Sequence, residues 1–363
     1  MKRKLIFLEK LIAILLLTMF IDGLKVVNAQ EVRKINLDIF GAIDFTANRP
    51  KGTTNTFFTL GEQDFFVTAK ISDKFSFLGE TVVRSDAKTA TTFSASIERA
   101  QMKYDYKGNH SIVVGKMHTP VNYWNDVYHH GRVFFPTIDR PVAFSHFIPL
   151  HTMGIKFQGQ NLGKLNFGYD VVFGNGISST DFNKTGSNLS SLFSMHIKPV
   201  QGLRLQTTYY YDYLRNNYSG VHSGHLHPFS TFSGSVSFNM INYSVAYFGS
   251  VTEILVEGLV NVSRTDSLGV ASNHSNFVYI GKRIAEKNIP YILIDYTDVS
   301  PKELHVDEFR QLQFGFGFRH EFNYKLNLKA HVLRNKYEQH HEQFTPDSWL
   351  DLMSFKIQLA YGL

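Results

Sequence analysis

The chain has 363 residues, no cysteine, 37 Lys and Arg against 31 Asp and Glu, and 14% aromatic residues. The missing cysteine excludes a disulfide framework of the kind small secreted scaffolds use, and excludes lipid attachment at a cleavage-site cysteine. The weak positive balance is no nucleic-acid footprint, and after residue 30 no stretch of about 20 apolar residues exists to cross a membrane as a helix.

The first predicted element is a leader. Lys2, Arg3 and Lys4 precede an apolar run from Leu11 to Ile21, and "VNA" precedes Gln30. This order of a basic region, a short apolar region and small residues reads as a secretory signal peptide, residues 1–29, cleaved after Ala29. The apolar run covers only about half a bilayer core as helix, which argues against an anchor. The leader holds five basic and two acidic residues, so 30–363 retains 32 basic against 29 acidic.

From there period two dominates, in segments of roughly ten residues closed by turn chemistry. In "INLDIFGAIDF", Leu37, Ile39, Ile43 and Phe45 share one face, opposite Asn36, Asp38 and Asp44. "LNFGYDVVF" sets Leu165, Phe167, Tyr169, Val171 and Phe173 against Asn166 and Asp170. "LRLQTTYYYDY" sets Leu203, Leu205, Tyr209, Tyr211 and Tyr213 against Arg204, Gln206, Thr208 and Asp212. "LQFGFGFRHEF" sets Leu312, Phe314, Phe316 and Phe318 against Gln313, Arg319 and Glu321. Tight turns are predicted at Ser72–Lys74, Lys107–Asn109, Asn161–Lys164 and Pro199–Gly202. Longer polar loops alternate with them, at 86–92, 119–150, 175–186, 214–228, 265–275, 299–306 and 337–346.

Short connections on one side and long ones on the other predict an all-β transmembrane antiparallel β-barrel, with short periplasmic turns and long outer loops. About sixteen strands fit, and even counts from fourteen to eighteen are compatible. A soluble β-sandwich would expose a polar face on its strands, and a propeller would repeat every ~40 residues. Between Pro228 and Arg264 the parity favours two strands joined at Gly249–Thr252.

The chain ends on "FKIQLAYGL", where Phe355, Ile357, Leu359, Tyr361 and Leu363 alternate with Lys356, Gln358, Ala360 and Gly362. A closed barrel explains order at a terminus, because the last strand must pair with the first to satisfy backbone groups in lipid. The stretch also resembles the C-terminal signal that the barrel-assembly machinery reads in Gram-negative outer-membrane proteins. That signal usually ends in an aromatic residue; here Leu363 takes the last place and Tyr361 keeps an aromatic two positions earlier.

The segment from Gly115 to His151, "GKMHTPVNYWNDVYHHGRVFFPTIDRPVAFSHFIPLH", carries the most functional information. A loop of some thirty residues in a compact domain is usually functional. This one is rich in apolar residues, including Tyr123, Trp124, Tyr128, Val133, Phe134, Phe135, Phe144, Phe147 and Ile148. Exposed to water, it would be an aggregation hazard. Folded inward near 119–150, it would bury these groups and leave Arg132, Asp139 and Arg140 beside a channel. The segment resembles the third loop of trimeric porins, and the run is similar to those of porin-like outer-membrane proteins related to the phosphate-selective porin group. The resemblance implies a constriction built from Tyr123, Trp124, His129, His130, Arg132, Asp139 and Arg140, and a homo-trimer. The lysine-rich constriction of the phosphate-selective group is not evident, so phosphate selectivity is not expected.

Charges of the lumen parity include Glu62, Asp64, Glu80 and Asp295 against Arg84, Arg99, Lys329 and Lys356, with both signs nearly balanced. Arg132 and Arg140 would add a weak anion preference, since guanidinium groups favour carboxylates and phosphates. Histidines cluster at His129-His130, at His222, His225 and His227, and at His340-His341. Without cysteine or a fixed acidic ligand beside them they imply no metal site. No G-x-S-x-G occurs, and no enzyme is expected. The expected function is passive diffusion of small hydrophilic solutes across a Gram-negative outer membrane, with no cofactor. The alternatives are a substrate-specific uptake channel, or a barrel adhesin or enzyme with a filled lumen. Partners would be outer-membrane lipid, the assembly machinery and small solutes or ions, and no nucleic acid.

Overall fold

A computed structural model describes residues 35–50, 55–86, 92–128, 131–146, 148–177, 189–214, 235–266, 268–303, 310–338 and 350–363. The leader 1–29 and the histidines His129, His130, His222, His225, His227, His340 and His341 lie outside the described residues, as does Phe147.

Sixteen strands form one closed antiparallel barrel. In chain order they are β1 (Ile35–Pro50), β2 (Asn55–Lys70), β3 (Phe75–Asp86), β4 (Thr92–Lys107), β5 (His110–His118), β6 (His151–Leu162), β7 (Phe167–Gly174) and β8 (Ser190–Ile197). They continue as β9 (Leu203–Leu214), β10 (Val236–Phe248), β11 (Thr252–Thr265), β12 (Gly269–Lys282), β13 (Asn288–Asp298), β14 (Arg310–Asn323), β15 (Leu326–Glu338) and β16 (Leu350–Gly362). Each strand pairs with its sequence neighbours. The seam is β16 on β1, running from Phe40 opposite Gly362 to Pro50 opposite Leu352. Closure leaves no edge with unpaired backbone groups.

Period two sorts residues by medium. On β13 and β14, Ile292, Ile294, Phe314, Phe316 and Phe318 stand exposed on the outer wall. Asp295 and Arg319, on the opposite parity, are buried inside. An apolar outer band around a polar interior is the pattern a lipid-embedded barrel requires. The turns after β2, β4, β6 and β8 fall where the sequence predicts them, and β10 and β11 are joined at residues 249–251.

One connection differs. Most of the predicted loop 265–275 is strand: β11 runs to Thr265 and β12 begins at Gly269. "ASNHSN" is polar on both parities and so reads as loop, but each face has partners. Inside, Ser275 bonds Thr297 at 2.8 Å and Asn273 bonds Glu303 at 2.5 Å. Outside, Asn276 accepts from the Tyr243 hydroxyl at 3.1 Å and Ser272 bonds His274 at 3.2 Å. Satisfied polar groups let the ladder continue through a sequence with little strand propensity.

The barrel's largest apolar cluster lies on the inner wall. Phe238, Met240, Leu255, Phe277, Tyr279 and Leu293, from β10 to β13, are all buried there. The segment that covers them comes from the connection between β5 and β6.

Candidate functional site

Residues 119–150 leave the wall after β5 and return to it at β6. Their neck is closed. The Thr119 N–H donates to the Leu150 carbonyl at 3.1 Å. The Asn125 amide donates to both the Thr119 and Leu150 carbonyls, at 2.6 and 3.0 Å. Between them lie a five-residue π-helical turn (Trp124–Tyr128), a 3-10 turn (Arg132–Phe134) and a short helix α1 (Val142–His146).

The apolar residues of the segment meet the apolar inner wall. Trp124 is fully buried, with ring centroids 5.3 Å from Phe135, 5.4 Å from Tyr128 and 5.6 Å from Phe277. Tyr123 stacks on Phe248 at 6.2 Å. Each large side chain so buried contributes about 1.5–3 kcal/mol, which accounts for a composition unlike that of a solvated loop.

Polar ties then fix the segment around the wall. On β11, Glu257 accepts from the Trp124 N–H at 2.9 Å and the Asn122 amide at 3.3 Å. On β13, Asp295 accepts from the Val142 N–H at 2.6 Å. Arg204 of β9 pairs with Asp126. Arg319 of β14 donates to the Pro136 carbonyl at 3.1 Å, and Lys329 of β15 to the Arg132 carbonyl at 2.5 Å. On β2, Asp64 accepts from the Gly131 N–H at 3.0 Å. Gly131 has φ 75°, a left-handed conformation that glycine adopts without strain.

Asp139 is gripped by Lys356 of β16, with both carboxylate oxygens within 2.9 Å of the ammonium, and by His331 of β15 at 3.4 Å. Burial alone would push its carboxyl up. The Lys356 ammonium and His331 outweigh burial and hold it well below the usual carboxylate range. Its partners are thus a lysine and a histidine of the last two strands.

Arg132 and Arg140 converge on one carboxylate. Arg140 makes a two-point contact with Glu62 of β2, at 3.1 and 2.6 Å, and Arg132 lies 3.2 Å from the same group. Arg84 of β3 is third, at 3.1 Å, and also binds Glu98 of β4 at 2.8 Å. Phe135 lies under both loop guanidiniums, 5.1 Å from Arg132 and 5.4 Å from Arg140. Burial, and then the adjacent Arg132, pull Arg140 below its ordinary value; Glu62 works against them. A guanidinium remains charged regardless. The three side chains keep 14–26% of their surface accessible.

The structure therefore brings Arg132 and Arg140 together, sets Asp139 on the β15–β16 wall, and holds Tyr123 and Trp124 against β10–β12. Sequence reading missed the partners Glu98 and Glu257. Glu257 follows the inner parity of β11, and only the fold puts it beneath Trp124. Among the described residues no group of three or more His, Asp or Glu side chains is arranged to hold a metal ion.

A closed barrel of sixteen antiparallel strands, apolar outside and polar inside, with an internal segment after the fifth strand, has the architecture of the outer-membrane porins. Solved structures of outer-membrane proteins are similar to it. An anion-selective porin from Comamonas acidovorans superposes with TM-score 0.64 at 9% identity, covering 91% of this chain and 100% of that one. The outer membrane channel DcaP of Acinetobacter baumannii gives 0.62 at 11%, covering 91% and 97%. OmpT of Vibrio cholerae, in a trimer form, gives 0.60 at 11%, covering 91% and 99%. At such identities the likeness is one of fold. No family model and no curated protein sequence matches the chain.

Proposed function

We propose that the protein is an outer-membrane porin, a passive channel for small hydrophilic solutes that residues 119–150 narrow. The observation that carries this reading is the tie of that segment to the polar side of the wall, from Arg204 on β9 round to Glu62 and Asp64 on β2. A segment bound to inward-facing groups on so many strands lies in the path of anything crossing the barrel.

The narrow section is bordered by Arg84, Arg132 and Arg140 around Glu62, with Glu98 behind Arg84. The clustered guanidiniums at this section support a weak preference for anions. The set is built from arginine rather than lysine, and no phosphate selectivity is proposed. In this reading residues 1–29 are a cleaved leader, and the alternating residues Phe355 to Leu363 serve as the assembly signal. The barrel sits in the outer membrane, acts without enzymatic chemistry, and associates as a trimer.

The test is single-channel recording in a planar bilayer. Discrete, long-lived conductance steps with a reversal potential shifted toward the anion potential are expected. A correctly folded barrel that passes no current would overturn the reading in favour of a filled lumen.

A further inference from the structure

A cavity of about 330 Å³ lies at the short-turn end of the barrel, below the tip of the internal segment. Its position follows from its lining. Gly249, Arg283 and Tyr324 belong to the connections after β10, β12 and β14, all on the short-turn side. Phe134 comes from the internal segment above. The volume is at the small end of the range for small-molecule sites.

Two features of the wall decide what such a cavity can take. The first is charge that is already matched. Arg319 donates to both oxygens of Glu253 at 2.8 Å and to Glu321 at 3.0 Å. Arg283 donates to Glu253 at 2.7 Å and to Glu321 at 2.6 Å. Two guanidiniums and two carboxylates thus close a ring with no net charge. An ion binding here would have to break one of these contacts, so neither anions nor cations are favoured.

The second feature is the mixture of aromatic surface with open hydrogen-bonding capacity. Phe134 and Tyr324 expose 52% and 80% of their surfaces beside the cavity, and Tyr128 and Phe248 complete its apolar side. Asn327 lines the same cavity. Its amide nitrogen is committed to the Val133 carbonyl, and the open capacity comes from Glu321, which keeps 28% of its side chain accessible and can accept further hydroxyl donors. The complement of this wall has hydroxyl donors on one edge, a C–H face to lie on aromatic rings, and no charge.

The geometry points to a binding subsite for a neutral polyhydroxylated solute, a saccharide of one or two rings, at the short-turn mouth. This deepens the porin reading by giving the channel a class of solute that lingers at one end. The site does not require the channel to conduct, and the two can be tested apart.

The test is calorimetric titration of the detergent-purified barrel with glucose and maltose, and separately with inorganic phosphate, alongside conductance measurements on the same preparation. Saturable binding of a saccharide and none of phosphate is expected. Tyr324→Ala, on an exposed turn, should weaken saccharide binding at least tenfold while heat-modifiable gel migration is retained. Glu321→Gln should leave Arg283 under-neutralised and make phosphate binding detectable. No saccharide binding to the unaltered protein, or phosphate binding equal to it, overturns the proposal. A barrel that conducts but binds no saccharide refutes this subsite alone. One that binds saccharide but passes no current refutes only the channel.

Discussion

The Tyr361 hydroxyl donates to Gln63 Oε1 at 2.6 Å. The bond runs from β16 to β2 and so passes over the strand between them. Gly41 of β1 leaves the space: a Cβ there would lie 2.2 Å from Gln63 Oε1 and 2.6 Å from the Tyr361 hydroxyl oxygen. The Gln63 amide also donates to the Ala42 carbonyl at 3.2 Å. First, second and last strands are thus joined on the outer wall at the seam.

The seam predicts an order of severity. Tyr361→Phe loses one hydrogen bond, about 1 kcal/mol, and should assemble with a lowered melting temperature. Tyr361→Asp sets a charge on the outer wall and should reduce assembly strongly. Deleting residues 360–363 removes partners of Phe40 to Ala42 and should abolish it. Heat-modifiable migration and outer-membrane levels read all three. Normal levels of the truncated chain would contradict the role given to the seam.

Replacing Arg132 and Arg140 together with Ala should shift ion preference toward cations, because two of the three guanidiniums set against Glu62 and Glu98 would be gone while both carboxylates remain. Reversal potentials measure this. The shift should shrink at 1 M salt, where the screening length is about 3 Å. An unchanged reversal potential at low salt would remove the two arginines from any part in selectivity.

Deleting Val133 to Ala143 should raise single-channel conductance, since the narrowest section dominates resistance. The strands that hold this stretch also pair with one another, so the barrel should survive. An intact barrel of unchanged conductance would mean the segment does not limit flow.

Asp139 gives a prediction in pH. Its carboxyl is depressed in the folded protein by Lys356 and His331, which outweigh burial. A depressed carboxyl contributes stability that is fully present above its ordinary value, about 4, and is lost as pH falls through the lower folded value. The tie to Lys356 should therefore hold from pH 7 down to about 4. Asp139→Asn, which weakens it at every pH by about 2 kcal/mol, should show noisier conductance than the unaltered protein throughout that range. If the two proteins became indistinguishable near pH 5, Asp139 would be titrating there and the pairing with Lys356 would not be what seats the segment.

The strands were legible because their cause is local. Each residue of Phe314, Phe316 and Phe318 meets lipid because its neighbours meet the lumen, and that alternation is written in adjacent letters. The turns at Ser72–Lys74 and Pro199–Gly202 are equally local. Where a stretch is polar on both faces, as from Ser272 to Asn276, alternation vanishes from the letters. The strand then depends on partners from β10 and β13 and on Glu303.

The sequence by itself determined that residues 119–150 are too apolar to be an ordinary outer loop, and that the terminal strand needs a partner. Only closure of the barrel decided what they meet. Asp139 and Lys356 are 217 residues apart, and Arg140 and Glu62 are 78 apart. No periodicity links such positions. Their meeting depends on which strands face each other across the lumen, a distance set by strand number and tilt. The apolar inner wall of β10 to β13 was hidden for the same reason: Phe238 and Phe277 have the parity of lumen residues, and only the covering Trp124 and its neighbours make them a core.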